Sequence, residues 1–144
     1  MAKVRRSLVK QRARRRCEYC QLAQEYSILP HQIDHVRATK HHGPNTMENT
    51  CLACAHCNAA KGPNVAGYDP ETGVLAPLFY PRQDVWTEHF RWQGGLLVGK
   101  TPVGRATIDV LRVNDSDCVE QRQELTEAGL FPPPSDQGLA ADQD

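Results

Sequence analysis

Two C-x2-C pairs, Cys17/Cys20 and Cys54/Cys57, constrain this 144-residue chain more than any other feature. Each pair lets two thiolates of one tight knuckle reach the same ion, and together they supply a closed tetrahedral site of the kind that holds zinc. A four-thiolate site leaves no open coordination position. The metal is therefore expected to be structural, and to supply much of the folding free energy of so small a domain. The N-terminal stretch MAKVRRSLVKQRARRR lacks the apolar run and small-residue cleavage site of a secretory signal. Nor does any stretch approach the roughly 20 apolar residues of a membrane span. A soluble, cytoplasmic protein with no membrane partner is expected. Disulfides are rare in that compartment, which favours metal binding for paired cysteines.

A second metal reading competes. Cys51, Cys54 and Cys57 form C-x2-C-x2-C, which with Cys17 or Cys20 suggests an iron–sulfur cluster, but the ferredoxin-like fourth cysteine and its proline are absent. Cys51 reads more simply as a buried small apolar residue, and Cys118 has no partner in sequence.

Charge divides the chain although the formal net charge is zero. Residues 1–62 carry eleven Lys/Arg against four acids, while the remainder carries six against thirteen. Eight of the first sixteen residues are Lys or Arg with no acid among them, which points to an arm that contacts phosphates, Arg14, Arg15 and Arg16 included. Apolar spacing predicts a helix over residues 3–16.

Between the knuckles, residues 29–36 suggest a short strand, Gly43-Pro44-Asn45 a turn, residues 49–54 a second strand, and residues 56–61 a helix stopped by Gly62-Pro63. Further on, residues 67–73 are turn-rich, and Gly94-Gly95 predicts a hairpin between residues 88–93 and 96–100. Thr101-Pro102 caps a helix to about Asn114, and a last helix from Ser116 ends at Gly129. Residues 131–144 are Pro-rich and acidic and read as a disordered tail. Trp86, Phe90 and Trp92 are expected as core or hairpin-face aromatics.

The interval between the knuckles carries the chemistry. Asp34 and His35 are adjacent, Asn49 follows His35 by fourteen residues, Asn58 follows Asn49 by nine, and Lys61 lies three further on. The run C-E-Y-C, H-Q-I-D-H-V, E-N-T-C-L-A-C-A-H-C-N-A-A-K-G resembles the HNH endonuclease family, the His-Me finger or ββα-metal nucleases, in its zinc-stapled version, over about residues 17–66. The resemblance implies an α+β fold: a small ββα-metal finger with four-cysteine zinc knuckles, followed by a C-terminal β-hairpin and helices. The expected organisation is a basic arm (1–16), a nuclease core (17–66), an extension (67–130) and the tail (131–144).

By position, the resemblance makes His35 the general base and Asn49 the residue that orients the His35 segment. Asn58 takes the last position of an H-N-N variant, and Asp34 becomes the acidic metal ligand. His42 stands where many relatives have a glycine, which puts the loop shape in question. Histidine suits water activation because its ordinary pKa lies near neutrality. An Asp carboxylate and an Asn amide oxygen suit a hard cation, Mg2+ or Mn2+, that stabilises phosphoryl charge. Lys61 is expected to neutralise a neighbouring phosphate, with Arg37 and Lys40 lining the cleft. His31 and His56 receive no catalytic role.

The expected function is a divalent-metal-dependent endonuclease acting on double-stranded DNA with one metal ion. A zinc-dependent nucleic-acid-binding or adaptor module without turnover is the alternative. A double-strand cut from one active site favours a homodimer or successive nicks, and the acidic extension is expected to buttress the core or meet a protein partner.

Overall fold

The computed structural model describes residues 3–134. A short helix, α1 (Arg6–Arg12), leads into the first knuckle. It is half the expected length, because Arg14 and Arg15 both take left-handed backbone conformations (φ 56° and 58°) and turn the chain towards Cys17. A bridge between Arg16 and Ala23 then closes the knuckle.

Strands β1 (Gln32–His35) and β2 (Thr50–Ala53) form an antiparallel hairpin in which Asp34 faces Cys51 and His35 faces Thr50. Helix α2 (Ala55–Lys61) follows directly. Its N-cap is Cys54, whose Sγ accepts the Cys57 amide at 3.4 Å. Cys17 Sγ accepts the Cys20 amide at the same distance, so the two knuckles are built alike.

The extension begins with a small hairpin, β3 (Ala66–Tyr68) and β4 (Leu75–Pro77), flanking the turn-rich segment. Three-residue strands carry too little alternation to announce themselves. A single-turn helix, α3 (Trp86–His89), takes up Glu88 and His89, so strand β5 is limited to Phe90–Gln93 and pairs with β6 (Leu96–Gly99) across Gly94-Gly95. Helix α4 (Pro102–Leu111) is capped by Thr101, whose Oγ1 accepts the Gly104 amide at 3.0 Å. Helix α5 (Ser116–Glu127) ends before Gly129, which has the left-handed φ of 77°.

Helix α4 is the strut of the molecule, packing against α2, β3, β4 and β6. One core results. The four knuckle cysteines, Tyr19 and Val36 are buried with Phe79, Phe90, Leu97, Leu111 and Val113 from the extension. Trp86 and Trp92 pack against this core as expected, and Phe131, assigned to the tail by sequence, is buried against Trp92 with ring centroids 4.9 Å apart. Residues 132–134 are described as well, and residues 135–144 of the expected tail lie outside the described residues.

Candidate metal centre and nuclease site

The cysteine cluster follows from the knuckles. The sulfurs of Cys17, Cys20, Cys54 and Cys57 lie within 4.8 Å of one another, and all four residues are buried. Cys20 and Cys54 sulfurs are 3.7 Å apart. A tetrahedron with Zn–S bonds of about 2.3 Å has edges of about 3.8 Å, so the donors fit a zinc ion in number, chemistry and spacing. Hydrogen bonds from Cys17, Cys20 and Cys57 hold the Cys54 thiol far below its ordinary pKa, the direction that a thiolate ligand needs. Cys51 lies outside the cluster and touches Asp34 instead, which removes the C-x2-C-x2-C set as a ligand group.

The same helix that supplies Cys57 supplies Asn58, and strand β1 supplies Asp34 and His35. Asn49, 3% exposed, closes the loop between the strands. Its Oδ1 accepts the Arg37 amide at 3.0 Å, and its Nδ2 donates to the carbonyls of Arg37 (2.9 Å) and Pro44 (2.8 Å). All of this lies just beyond His35, so the base of the loop is fixed at the residue next to Val36. Gly43 packs so tightly here that a Cβ would stand 1.6 Å from the Arg37 carbonyl oxygen and 2.9 Å from Asn49 Nδ2. His42, in the position where a glycine was expected, takes the left-handed conformation with φ 64°.

His35 is partly exposed, and its Nε2 is 2.8 Å from Asn45 Oδ1. With Nε2 donating, the imidazole keeps its lone pair on Nδ1, the nitrogen left to accept a proton. Sequence reasoning assigned Asn45 to a turn and missed this contact, since asparagine serves both purposes equally well.

Asp34 is 5% exposed and already engaged at both oxygens. Tyr19 donates to Oδ2 at 2.8 Å and Lys61 Nζ to Oδ1 at 3.3 Å. Burial raises the Asp34 pKa against the pull of Lys61 and Tyr19, and burial also holds the Tyr19 hydroxyl well above its ordinary pKa, so it stays a donor. So placed, Asp34 does not fit a divalent cation: its charge is neutralised by an ammonium and neither oxygen is open. Lys61 is corrected in the same way. It was expected to face a phosphate, but it is 1% exposed and also donates to the carbonyls of His35 (3.3 Å) and Val36 (3.1 Å). Lys61 follows Cys57 by four residues and shares its buried helix face. Asn58 is partly exposed, and its side-chain amide makes no hydrogen bond among the described residues.

The remaining candidates lie at the rim. Arg37 and Lys40 are exposed, with Arg37 Nε donating to the His41 carbonyl at 2.7 Å. Arg14 and Arg15 are exposed and Arg16 is partly so. His31 is buried before β1 with Nε2 on the Leu22 carbonyl at 2.9 Å. His56 Nε2 meets the carbonyl of Arg112 at 2.8 Å and so ties α2 to the end of α4.

A hairpin and helix joined at a four-sulfur cluster, with histidine at the end of the first strand and asparagine on the helix, define a ββα-metal finger of the zinc-stapled kind. Residues 17–64 match the family model described as HNH endonuclease, and this segment belongs to the HNH family. Comparison with curated proteins gives no match, and comparison with solved structures gives none. Among the described residues no helix is long and apolar enough to cross a membrane.

Proposed function

We propose that the chain is a divalent-metal-dependent endonuclease that hydrolyses phosphodiester bonds of double-stranded DNA, with His35 as general base. The observation that carries this reading is the His35–Asn45 contact beside the Asn49 clamp. Asn45 holds the imidazole through Nε2 and so leaves Nδ1 to take a proton from water, while Asn49 fixes the backbone just beyond. The eight cations of the first sixteen residues support nucleic acid as substrate. Mg2+ or Mn2+ is the proposed ion. The open amide of Asn58 supports it, and the engaged carboxylate of Asp34 counts against Asp34 as its ligand. Zinc thiolate ligands suit the reducing cytoplasm. A double-strand cut is proposed to come from a second copy of the chain or from successive nicks.

One observation favours the second reading, a zinc-dependent binding module without turnover: Asp34 is neutralised by Lys61. Nicking of supercoiled plasmid by zinc-loaded protein with Mg2+, Mn2+ or EDTA, beside His35→Ala, separates the two. Metal-dependent nicking that disappears in the variant is expected. DNA retardation by both proteins without any cutting would give the binding module its case.

A further inference from the structure

A cavity of about 400 Å3 lies where the segment after β1 meets the extension. Val36, Val65, Pro77 and Leu78 give it apolar walls, and half-buried Tyr80 adds an aromatic ring. Val65, 45% exposed, leaves part of this apolar surface in water. Lys61 brings no free charge to the cavity, since its ammonium is held by Asp34 and by the carbonyls of His35 and Val36. Arg37 supplies the unused donors. Its Nε donates to the His41 carbonyl at 2.7 Å, which fixes the plane of the guanidinium, while Nη1 and Nη2 make no hydrogen bond or ion pair among the described residues. Its backbone is pinned as well, because Asn49 accepts the Arg37 amide at 3.0 Å and donates to the Arg37 carbonyl at 2.9 Å. The cavity is thus built on the same clamp that holds the His35 segment.

We propose that this cavity is a base pocket, which takes a guanine unstacked from the DNA strand with its O6 and N7 on the Nη nitrogens of Arg37. The proposal rests on the nuclease reading and adds a specificity-determining residue to it. Guanidinium nitrogens are donors only, and guanine presents O6 and N7 as two neighbouring acceptors that such a fork meets in pairs. Adenine sets its N6 donor beside N7 and so opposes the fork. Cytosine also has two neighbouring acceptors, but its single ring covers less of the apolar wall. Removing a base from the duplex stack costs free energy, which contact with an aromatic ring and aliphatic walls offsets. The volume lies in the range of small-ligand sites.

The test uses zinc-loaded, full-length His35→Ala protein, in which cutting plays no part, followed by NMR at the Arg37 Nε–H and at the Val36 and Val65 methyl groups. Deoxyguanosine 5′-monophosphate should shift these resonances saturably, with a dissociation constant of about 1 mM or below. The adenine and cytosine nucleotides should bind about tenfold more weakly, and so should the 7-deazaguanine nucleotide, which lacks N7. Arg37→Gln should bring guanine down to the level of adenine, and Tyr80→Ala should weaken every base. The 7-deaza comparison needs no variant at the pocket, so it decides the matter even where Arg37→Gln does not fold. The pocket is overturned if these nucleotides bind alike, if the guanine nucleotide moves only resonances around Asn58, or if folded Arg37→Gln keeps the preference. Metal-dependent plasmid nicking by a protein without guanine preference would remove the pocket and leave the nuclease reading. Guanine-selective binding by a protein that never nicks would keep the pocket and count against the nuclease reading alone.

Discussion

Lys61 and Asp34 form an ion pair at 3.3 Å with side-chain exposures of 1% and 6%, and the ammonium also caps the carbonyls that end β1. Removing one member of such a pair leaves a charge buried without a partner, a change that costs about 3–5 kcal/mol. Lys61→Met should therefore destabilise the protein by about that much in urea denaturation at constant zinc. The double variant Lys61→Met/Asp34→Asn should recover most of the loss, since the uncompensated carboxylate is gone. Equal stability of Lys61→Met and the parent would mean that the pair does not exist in solution.

Asn49 makes three hydrogen bonds at the base of the loop, and Asn49→Ala leaves the Arg37 amide and two carbonyls without partners. A loss of about 2–3 kcal/mol is expected, since each unsatisfied buried group costs about 1–3 kcal/mol and water reaches part of this site. Gly43→Ala should match or exceed that loss, because its Cβ would enter the space of the Arg37 carbonyl. In nicking assays both variants should lose turnover through misplaced His35, with zinc content unchanged. Chemical denaturation and metal analysis of the same preparations check both points.

His42 occupies a left-handed conformation that costs a non-glycine residue about 1–2 kcal/mol. His42→Gly relieves this cost and gains unfolded-state entropy in exchange, so a net stabilisation of about 0.5–1 kcal/mol is expected. A thermal melt that is unchanged or lower in His42→Gly would show that the imidazole makes contacts in solution that offset the strain.

Loss of zinc should affect the whole fold, because the cysteine cluster is continuous with the core. One zinc per chain in a colourless preparation is expected by metal analysis. Chelation, or Cys54→Ala, should abolish the cooperative unfolding transition, since metal binding and folding are one equilibrium in small metallodomains. Metal binding requires thiolates, so zinc release and unfolding should advance together as the pH falls below neutrality. A melt that is indifferent to chelator would remove zinc as the staple.

What the sequence revealed and what it concealed divide along the range of the interactions concerned. The knuckles, β1, β2, α2 and the Gly94-Gly95 hairpin rest on spacing within a few residues, and the structure has them close to where the spacing put them. The three-residue step from Asn58 suggests that Lys61 shares the face of the site, whereas it is buried on the face of Cys57. The four-residue step from a buried ligand was the readable sign that Lys61 points inward. Asn45 could not be separated from an ordinary turn residue, since its contact with His35 depends on how the loop folds back. The arm was overestimated in length because helix-forming arginines continue past the point where Arg14 and Arg15 reverse the chain. The α4 strut was legible as a helix, but nothing local said that it would pack on α2.

The clamp at Asn49 joins the two ends of the segment from Arg37 to Asn49, so everything between them hangs from a fixed base. Closing a loop twice as long costs only about 0.6 kcal/mol more. A lineage carrying this module is thereby free to lengthen, shorten or exchange the stretch that leads from Ala38 into the Gly43 contact, provided that Gly43, Asn45 and Asn49 keep their places. His35 and the cysteine knuckles lie outside the clamped stretch, so a change of its length leaves their own backbone in place.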